Sequence, residues 1–154
     1  MHNQMHNDVA FCIHKRNQMG SLLIDTNVYV AFKRNYQPVL HLLRHASAIF
    51  LNTVVFGELL AGFRGGNRDV ENRRELDQFL DTPRVSMLAI DDGTAEYFSL
   101  VFNQLKKQGT PIPTNDIWIA ASAMQHGLAL SSLDGHFSNI AGLNIISGIQ
   151  EAKQ

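Results

Sequence analysis

The chain has 154 residues, of which 45% are hydrophobic and 18% are charged, and its formal net charge is −1. This length fits one domain with a sizeable core, and the composition excludes a disordered protein. The near-zero charge excludes a global basic field, so any contact with nucleic acid must come from a local patch. The single cysteine excludes a disulfide framework and a cysteine-rich zinc site. We therefore expect a cytoplasmic protein with no membrane partner.

The first 20 residues differ from the rest of the chain. They are rich in His, Asn and Gln and have no helical or strand period. We predict that residues 1–20 are a loose leader, with at most a short extra strand at residues 9–13. Met19 is an alternative start, and residues 21–150 are predicted to form one domain.

From residue 21 onwards, strand and helix patterns alternate. Short apolar runs predict strands at residues 22–24, 48–51, 85–90, 128–130 and 144–147. Helical patterns lie between them: residues 28–32, residues 39–45 after Pro38, a helix capped by Thr53, residues 69–80, a long helix capped by Asp91 or Asp92, and a helix capped by Thr114 or Asn115. This alternation predicts an α/β protein, a three-layer α/β/α sandwich with a mainly parallel central sheet.

Two acidic residues follow predicted strands. Asp25 comes directly after the first strand, in the run Leu-Ile-Asp-Thr-Asn, and Asp134 follows the fourth strand. If these strands are parallel, both carboxylates leave the same edge of the sheet, where ligand sites form in such folds. Asp is also a common helix cap, so Asp25 taken alone fits either role.

Two further acidic residues lie in predicted helices. Asp116 is the one acidic residue of a helix that is apolar nearly all round, so its charge needs compensation. Glu58 lies opposite the apolar stripe of its helix, which fits either a solvent-facing residue or one that lines a cleft. Clustered carboxylates repel one another, and a hard cation such as Mg²⁺ or Mn²⁺ neutralises them. Such an ion activates water in phosphoryl chemistry.

Four motifs occur in order along the chain, at residues 23–28, 56–62, 113–121 and 132–137: Leu-Ile-Asp-Thr-Asn-Val, Phe-Gly-Glu-Leu-Leu-Ala-Gly, Pro-Thr-Asn-Asp-Ile-Trp-Ile-Ala-Ala and Ser-Leu-Asp-Gly-His-Phe. Together they resemble the PIN-domain nucleases, most closely the VapC-type toxins of bacterial toxin–antitoxin pairs. Two features depart from the family. Residues 1–20 precede its usual start, and Leu133 stands where the last motif usually has Asn.

The resemblance implies a site as well as a fold. The acidic quartet of the family falls on Asp25, Glu58, Asp116 and Asp134. Asp25 and Asp116 would be the principal ligands of Mg²⁺, with Mn²⁺ as an alternative, and Asp134 and Glu58 would close the site or hold metal-bound water. Thr26 and Ser132 would support them through hydrogen bonds.

The resemblance also implies an activity and partners. It implies a metal-dependent endoribonuclease that cuts RNA, halts translation and is held off by a co-encoded antitoxin protein, usually as a homodimer. Candidates for contacts with RNA phosphates are Lys33, Arg34, Arg64 and Arg68. Each of these four also fits an ordinary surface charge.

Two other functions compete with this one. A phosphate-receiving switch or a haloacid-type phosphatase also places Asp after its first strand. Those proteins need an Asp pair or Asp-x-Asp, whereas this chain has Asp25-Thr26-Asn27. The second alternative is a PIN-like subunit that acts mainly in a DNA-binding repressor complex with its antitoxin and has little nuclease activity.

We predict that residues 1–18 can be deleted with little loss of stability or activity, because they lack the apolar period needed to bury surface against the domain. The full chain and a chain that starts at Met19 would be compared by melting temperature and RNA cleavage. A soluble, active full chain beside an insoluble or inactive shortened chain would contradict this prediction.

Overall fold

The computed structural model describes residues 20–146, so the strand predicted at residues 9–13 and the proposed leader lie outside the described residues. The elements are, in chain order, β1 (Leu22–Ile24), α1 (Thr26–Lys33), α2 (Gln37–His45), β2 (Ile49–Asn52), α3 (Thr53–Arg64), α4 (Asp69–Leu80), β3 (Val85–Leu88), α5 (Asp92–Gln108), α6 (Thr114–Gln125), β4 (Ala129–Ser131), a 3-10 helix (Gly135–Asn139) and β5 (Ile145–Ile146). Among these elements, no helix is both long enough and apolar enough to cross a bilayer.

The strands form one sheet in the order β3-β2-β1-β4-β5, and every neighbouring pair is parallel. In the pair β1 and β4, Leu23 lies opposite Leu130 and Ile24 lies opposite Ser131, so the two strands end side by side. The chain moves from β1 to β2 on one side and reaches β4 on the other. Ligand sites of open α/β sheets form at such a switch point, outside the carboxyl ends of the strands.

The sheet is covered on both faces. Leu22, Leu23 and Ile24 are at most 1% exposed, although their side chains alternate between the two faces of the sheet. In α6, Ile119 and Ala120 are fully buried, as expected for a helix that is apolar nearly all round. The three-layer α/β/α architecture with a parallel central sheet is therefore confirmed.

Two predicted helix caps are wrong. Asn52, not Thr53, caps α3, because its side-chain Oδ1 accepts the Val55 N–H at 2.9 Å. Thr53 is the first helical residue, and its hydroxyl donates to the Leu88 carbonyl oxygen instead. At the start of α6, neither Thr114 nor Asn115 provides a cap. The N-cap position is Pro113, with no side-chain hydrogen bond.

Other boundaries follow the sequence more closely. The helix at Asp69–Leu80 has the predicted ends, and Pro38 lies in the first turn of α2. Asp91 caps α5 in a capping box with Thr94. The strands predicted at residues 85–90, 128–130 and 144–147 are shorter or shifted, as β3, β4 and β5, and Ser147 lies outside the described residues.

The side chain of Asn52 ties β2 and α3 to α6. It is fully buried, and its Nδ2 donates to the Ser122 hydroxyl at 3.0 Å while its Oδ1 caps α3. We predict that Asn52→Ala lowers the free energy of unfolding by about 2 kcal/mol, because it removes a cap and leaves a buried hydroxyl unpaired.

Urea denaturation measures this change. Asn67→Ala, in an exposed turn, is the matched control, and we expect it to change the free energy of unfolding by less than about 0.5 kcal/mol. Equal effects of the two substitutions would contradict the role of Asn52.

Candidate active site

A groove of about 1000 Å³ opens at the carboxyl ends of β1 and β4. The four predicted acidic residues line this groove together: Asp25, Glu58, Asp116 and Asp134. Strand β1 leads into Asp25 and β4 into the loop with Asp134, while α3 and α6 supply Glu58 and Asp116. The turn between α1 and α2 and the first residues of α2, at residues 34–38, also line the groove. Four chain segments that are far apart in sequence therefore bring their carboxylates to one place.

Asp25 is both the N-cap residue of α1 and a member of this group. Its Oδ1 accepts the Thr26 N–H at 2.8 Å, and its Oδ2 accepts the Ser132 hydroxyl at 2.7 Å. The residue is only 5% exposed. The two roles left open by the sequence, cap and site residue, therefore coincide in one side chain.

Thr26 and Ser132 hold the carboxylates through neutral hydrogen bonds. The Thr26 hydroxyl donates to Glu58 Oε1 at 3.1 Å, which links α1 to α3. The Ser132 hydroxyl donates to Asp25 and accepts the Asp134 N–H at 3.0 Å. The structure thus places both predicted supporting residues in contact with the quartet.

Asp116 and Asp134 meet around the ring of His136. His136 Nδ1 lies 3.2 Å from Asp116 Oδ2 and 3.1 Å from Asp134 Oδ2. Asp134 Oδ1 also accepts a hydrogen bond from the backbone N–H of His136 at 3.1 Å. This bond caps the 3-10 helix. When Nδ1 carries a proton, it donates between two carboxylates that would otherwise repel each other.

Burial raises the pKa of three of the four acids. Burial raises the pKa of Asp25 to about 6, the charges of Asp116 and Glu58 add to the rise, and two hydrogen bonds to Asp25 oppose it. Burial also raises the pKa of Glu58 and of Asp116, with repulsion from Asp116 acting on Glu58 and repulsion from Asp134 acting on Asp116. Each of these three acids thus binds its proton more tightly in the folded protein.

The side chains of the groove fit a divalent cation. Asp116, Asp134 and His136 offer donor atoms that all lie within 4.8 Å of one another, with Asp25 and Glu58 lining the same groove. Carboxylate oxygens suit Mg²⁺ and Mn²⁺, and an imidazole nitrogen is a better ligand for transition metals. A cation here would also offset the repulsion between the carboxylates, which adds to the effect of burial on their pKa values.

The four predicted RNA-binding cations do not all reach the groove. Arg34 lines it, whereas Lys33, Arg64 and Arg68 are not among the residues that do. Lys33 Nζ is 3.1 Å from Glu75 Oε2, and Arg68 Nε donates to Glu71 at 2.8 Å. Both therefore act as surface ion pairs in the folded protein.

Two side chains of the site, Asn27 and His136, carry no motif signal strong enough to predict a role. Asn27 Oδ1 accepts the Leu133 N–H at 3.1 Å, and its Nδ2 donates to Ser132 at 3.4 Å. These bonds join the turn after β1 to the loop after β4. The signal for both residues is their position, two residues after an acidic residue of the quartet.

Residues 22–143 match the PIN domain family. The chain therefore belongs to the PIN-domain family, as its four motifs predict. Ribonuclease VapC2 of Haemophilus influenzae is 30% identical over 116 residues, which cover 74% of this chain and 86% of that protein. The predicted resemblance to VapC proteins is thus confirmed.

Solved structures share the fold. A DNA-bound VapBC from Salmonella typhimurium has a TM-score of 0.75 and 22% identity, over 83% of this chain and 98% of that chain. VapBC-5 from Mycobacterium tuberculosis, a member of the VapBC family of toxin–antitoxin systems, has a TM-score of 0.65 and 23% identity, over 82% and 97%. At these identities the likeness concerns the fold alone.

We predict that the metal-free protein loses stability as pH rises from about 4 to about 6. The pKa of Asp25 is raised from 3.8 to about 6, so the folded state binds more protons than the unfolded state in this range. A shift of about two units corresponds to a loss of roughly 3 kcal/mol from Asp25 alone. Urea denaturation in chelator at several pH values measures it.

Asp25→Asn should reduce the loss of unfolding free energy between about pH 4 and about pH 6. Asp92→Asn, at an exposed position, should leave this loss unchanged. The slope with pH is the measured quantity, because the amide would also disturb the bond from Ser132. A slope that is the same in Asp25→Asn and in the wild type would contradict the assignment.

Proposed function

We propose that this protein is a metal-dependent endoribonuclease and the toxin of a toxin–antitoxin pair. The observation that carries the proposal is the convergence of Asp25, Glu58, Asp116 and Asp134 on one groove. The name ribonuclease that its VapC relative bears supports the substrate class. The activity would act on RNA in the cytoplasm, which agrees with the single cysteine of the chain.

In this proposal, Asp25 and Asp116 are the principal ligands of Mg²⁺ or Mn²⁺, and Asp134 and Glu58 complete the site. The ion, when bound, would supply a Lewis acid that lowers the pKa of a water molecule and polarises the scissile phosphate. The close spacing of donor atoms on Asp116, Asp134 and His136 supports a cation at this position, and the place of Asp25 and Glu58 in the same groove supports their inclusion.

The residues around the ligands orient them. Ser132 holds Asp25 by one oxygen, and Thr26 holds Glu58 by Oε1. Glu58 Oε2 makes no hydrogen bond within residues 20–146, and the pKa of this side chain is raised by burial. We therefore assign Glu58 Oε2 as the atom that accepts a proton from the attacking water. A raised pKa makes a carboxylate a better base near neutral pH.

His136 acts in this proposal as a positioning residue. Its Nδ1 lies between Asp116 and Asp134, where a donated proton lowers the repulsion between the two carboxylates. The ring is half-exposed, and its nitrogen lies among the atoms that could hold the cation.

The proposed partners follow from the same groove. An antitoxin segment with a basic side chain would satisfy the buried negative charge and block the groove at the same time. The VapBC-5 structure, from a toxin–antitoxin family, supports a partner of this kind. We also propose a homodimer, as in the family that the motifs resemble.

The alternatives receive less support. A phosphate-receiving switch or haloacid-type phosphatase needs an Asp pair or Asp-x-Asp, whereas this chain has Asp25-Thr26-Asn27. A PIN-like subunit that acts mainly in a DNA-binding repressor complex, with little nuclease activity, would not require the convergence of four carboxylates on one groove. Labelled RNA incubated with the antitoxin-free protein, in Mg²⁺ and in chelator, separates these functions. Cleavage in Mg²⁺ alone is the expected result, and no cleavage with either Mg²⁺ or Mn²⁺ would contradict the proposal.

We predict that Asp116→Asn lowers RNA cleavage by about 100-fold or more, because it removes a ligand charge. The fold should persist, since the amide is nearly isosteric and its oxygen can still accept from His136. Asp92→Asn is the matched control, because Asp92 also lies in the first turn of a helix but outside the groove. A near wild-type cleavage rate in Asp116→Asn, with its melting temperature unchanged, would contradict the metal assignment.

A further inference from the structure

Residues 34–37, at the junction of α1 and α2, line the same groove as the quartet. The Asn35 N–H donates to Phe32 O at 3.1 Å, and the Tyr36 N–H donates to Ala31 O at 3.0 Å. Asn35 has a left-handed backbone with φ 58°. These two bonds form a Schellman motif, in which Gly or Asn is favoured at the left-handed position. The backbone of residues 34–37 therefore has a defined conformation, and we call this segment the recognition turn.

The recognition turn carries the one cation of the groove within the described residues. Arg34 lines the groove together with four carboxylates, and it forms no ion pair in residues 20–146. Lys33 and Arg68 are instead paired with Glu75 and Glu71. A phosphate that enters this groove is repelled by the carboxylates, so Arg34 is the described side chain that attracts it.

Two residues with amide side chains line the groove beside Arg34 in the recognition turn. Asn35 and Gln37 are both exposed and both line the groove. Gln37 Nε2 donates weakly to the Asn35 carbonyl oxygen at 3.4 Å, and the Asn35 amide makes no hydrogen bond within the described chain. An amide offers a donor and an acceptor side by side, which matches the edge of a nucleobase. Base edges are free in single-stranded RNA and hidden in a duplex.

We infer that the recognition turn determines which single-stranded RNA sequence binds in the groove. Arg34 binds a phosphate next to the scissile one, and Asn35 and Gln37 hydrogen-bond the adjoining base. This inference rests on the proposed nuclease function and adds to it the residues that choose the substrate. The quartet would then cut at a position set by the base that the turn accepts.

RNA binding tests the phosphate contact. The full chain carrying Asp116→Asn is titrated into labelled single-stranded RNA of random sequence, in Mg²⁺ and at several salt concentrations. Adding Arg34→Gln should weaken binding about tenfold and reduce the slope of log affinity against log salt by about 0.7. Arg44→Gln, at an exposed position of α2 outside the groove, is the matched control and should change neither. Equal losses in both variants, or none in Arg34→Gln, would overturn the inference.

Cleavage of a random RNA pool tests the base contact in the otherwise unchanged protein. Asn35→Gly tolerates the left-handed backbone and removes the side chain with its amide, and Gln37→Ala removes the second amide. Both should flatten the base preference at one position beside the cut. Asn67→Gly, in an exposed turn outside the groove, should keep the wild-type preference. An unchanged preference in Asn35→Gly and Gln37→Ala would overturn the assignment.

The binding and cleavage experiments together distinguish a failure of this inference from a failure of the proposed function. If the wild type cuts RNA while the turn variants behave as wild type, the function stands and the inference fails. If the wild type does not cut RNA, the function fails, and selective loss of RNA binding in Arg34→Gln still upholds the turn as a binding site. Equal affinity for single-stranded and double-stranded RNA would overturn the choice of substrate.

Discussion

The placement of four carboxylates in one partly buried groove, where they lose hydration and repel one another, is the constraint on which this site depends. Strands β1 and β4 end side by side and carry Asp25 and Asp134 to the same edge, while α3 and α6 add Glu58 and Asp116. The backbone fixes these positions, so the charges cannot separate as they would in water. Burial, with a smaller contribution from this repulsion, raises the pKa of three of the acids, and that of Asp25 reaches about 6. The site therefore holds negative charge that the protein does not neutralise, and a divalent cation would compensate it.

The side chains that contact the quartet leave its negative charge uncompensated. Hydroxyls orient two of the acids, since Ser132 donates to Asp25 and Thr26 donates to Glu58. Within residues 20–146, no Lys or Arg forms an ion pair with any of the four. An arginine in their midst would cancel the charge and leave a structural ion pair. Neutral donors fix the geometry and leave the negative charge free, and only the half-exposed His136 brings a proton between two of the carboxylates. This pattern favours a metal site over a buried ion-pair cluster.

The sequence predicts the architecture because the apolar period of each element is set locally. The parallel sheet and the convergence of the quartet follow from strand order and from four short motifs. Helix caps are predicted less well, since Asn52 and Thr53 are both good caps and only the buried bond to Ser122 decides between them. The role of His136 depends on contacts between α6 and the loop after β4, which no local pattern encodes. The cation that reaches the groove is likewise decided by tertiary pairing, because Glu75 lies far from Lys33 in sequence and binds it in the fold.

Thermal unfolding of the wild-type protein with and without Mg²⁺, measured from pH 5 to pH 8, tests the central claim without any substrate. An ion that binds only the folded state adds about 2.7 kcal/mol at a hundredfold excess over Kd. The account predicts that Mg²⁺ raises the melting temperature and does so more above pH 6 than below it, because Asp25 must lose its proton before it can bind a cation. A melting temperature that neither Mg²⁺ nor Mn²⁺ changes at any of these pH values would contradict the account.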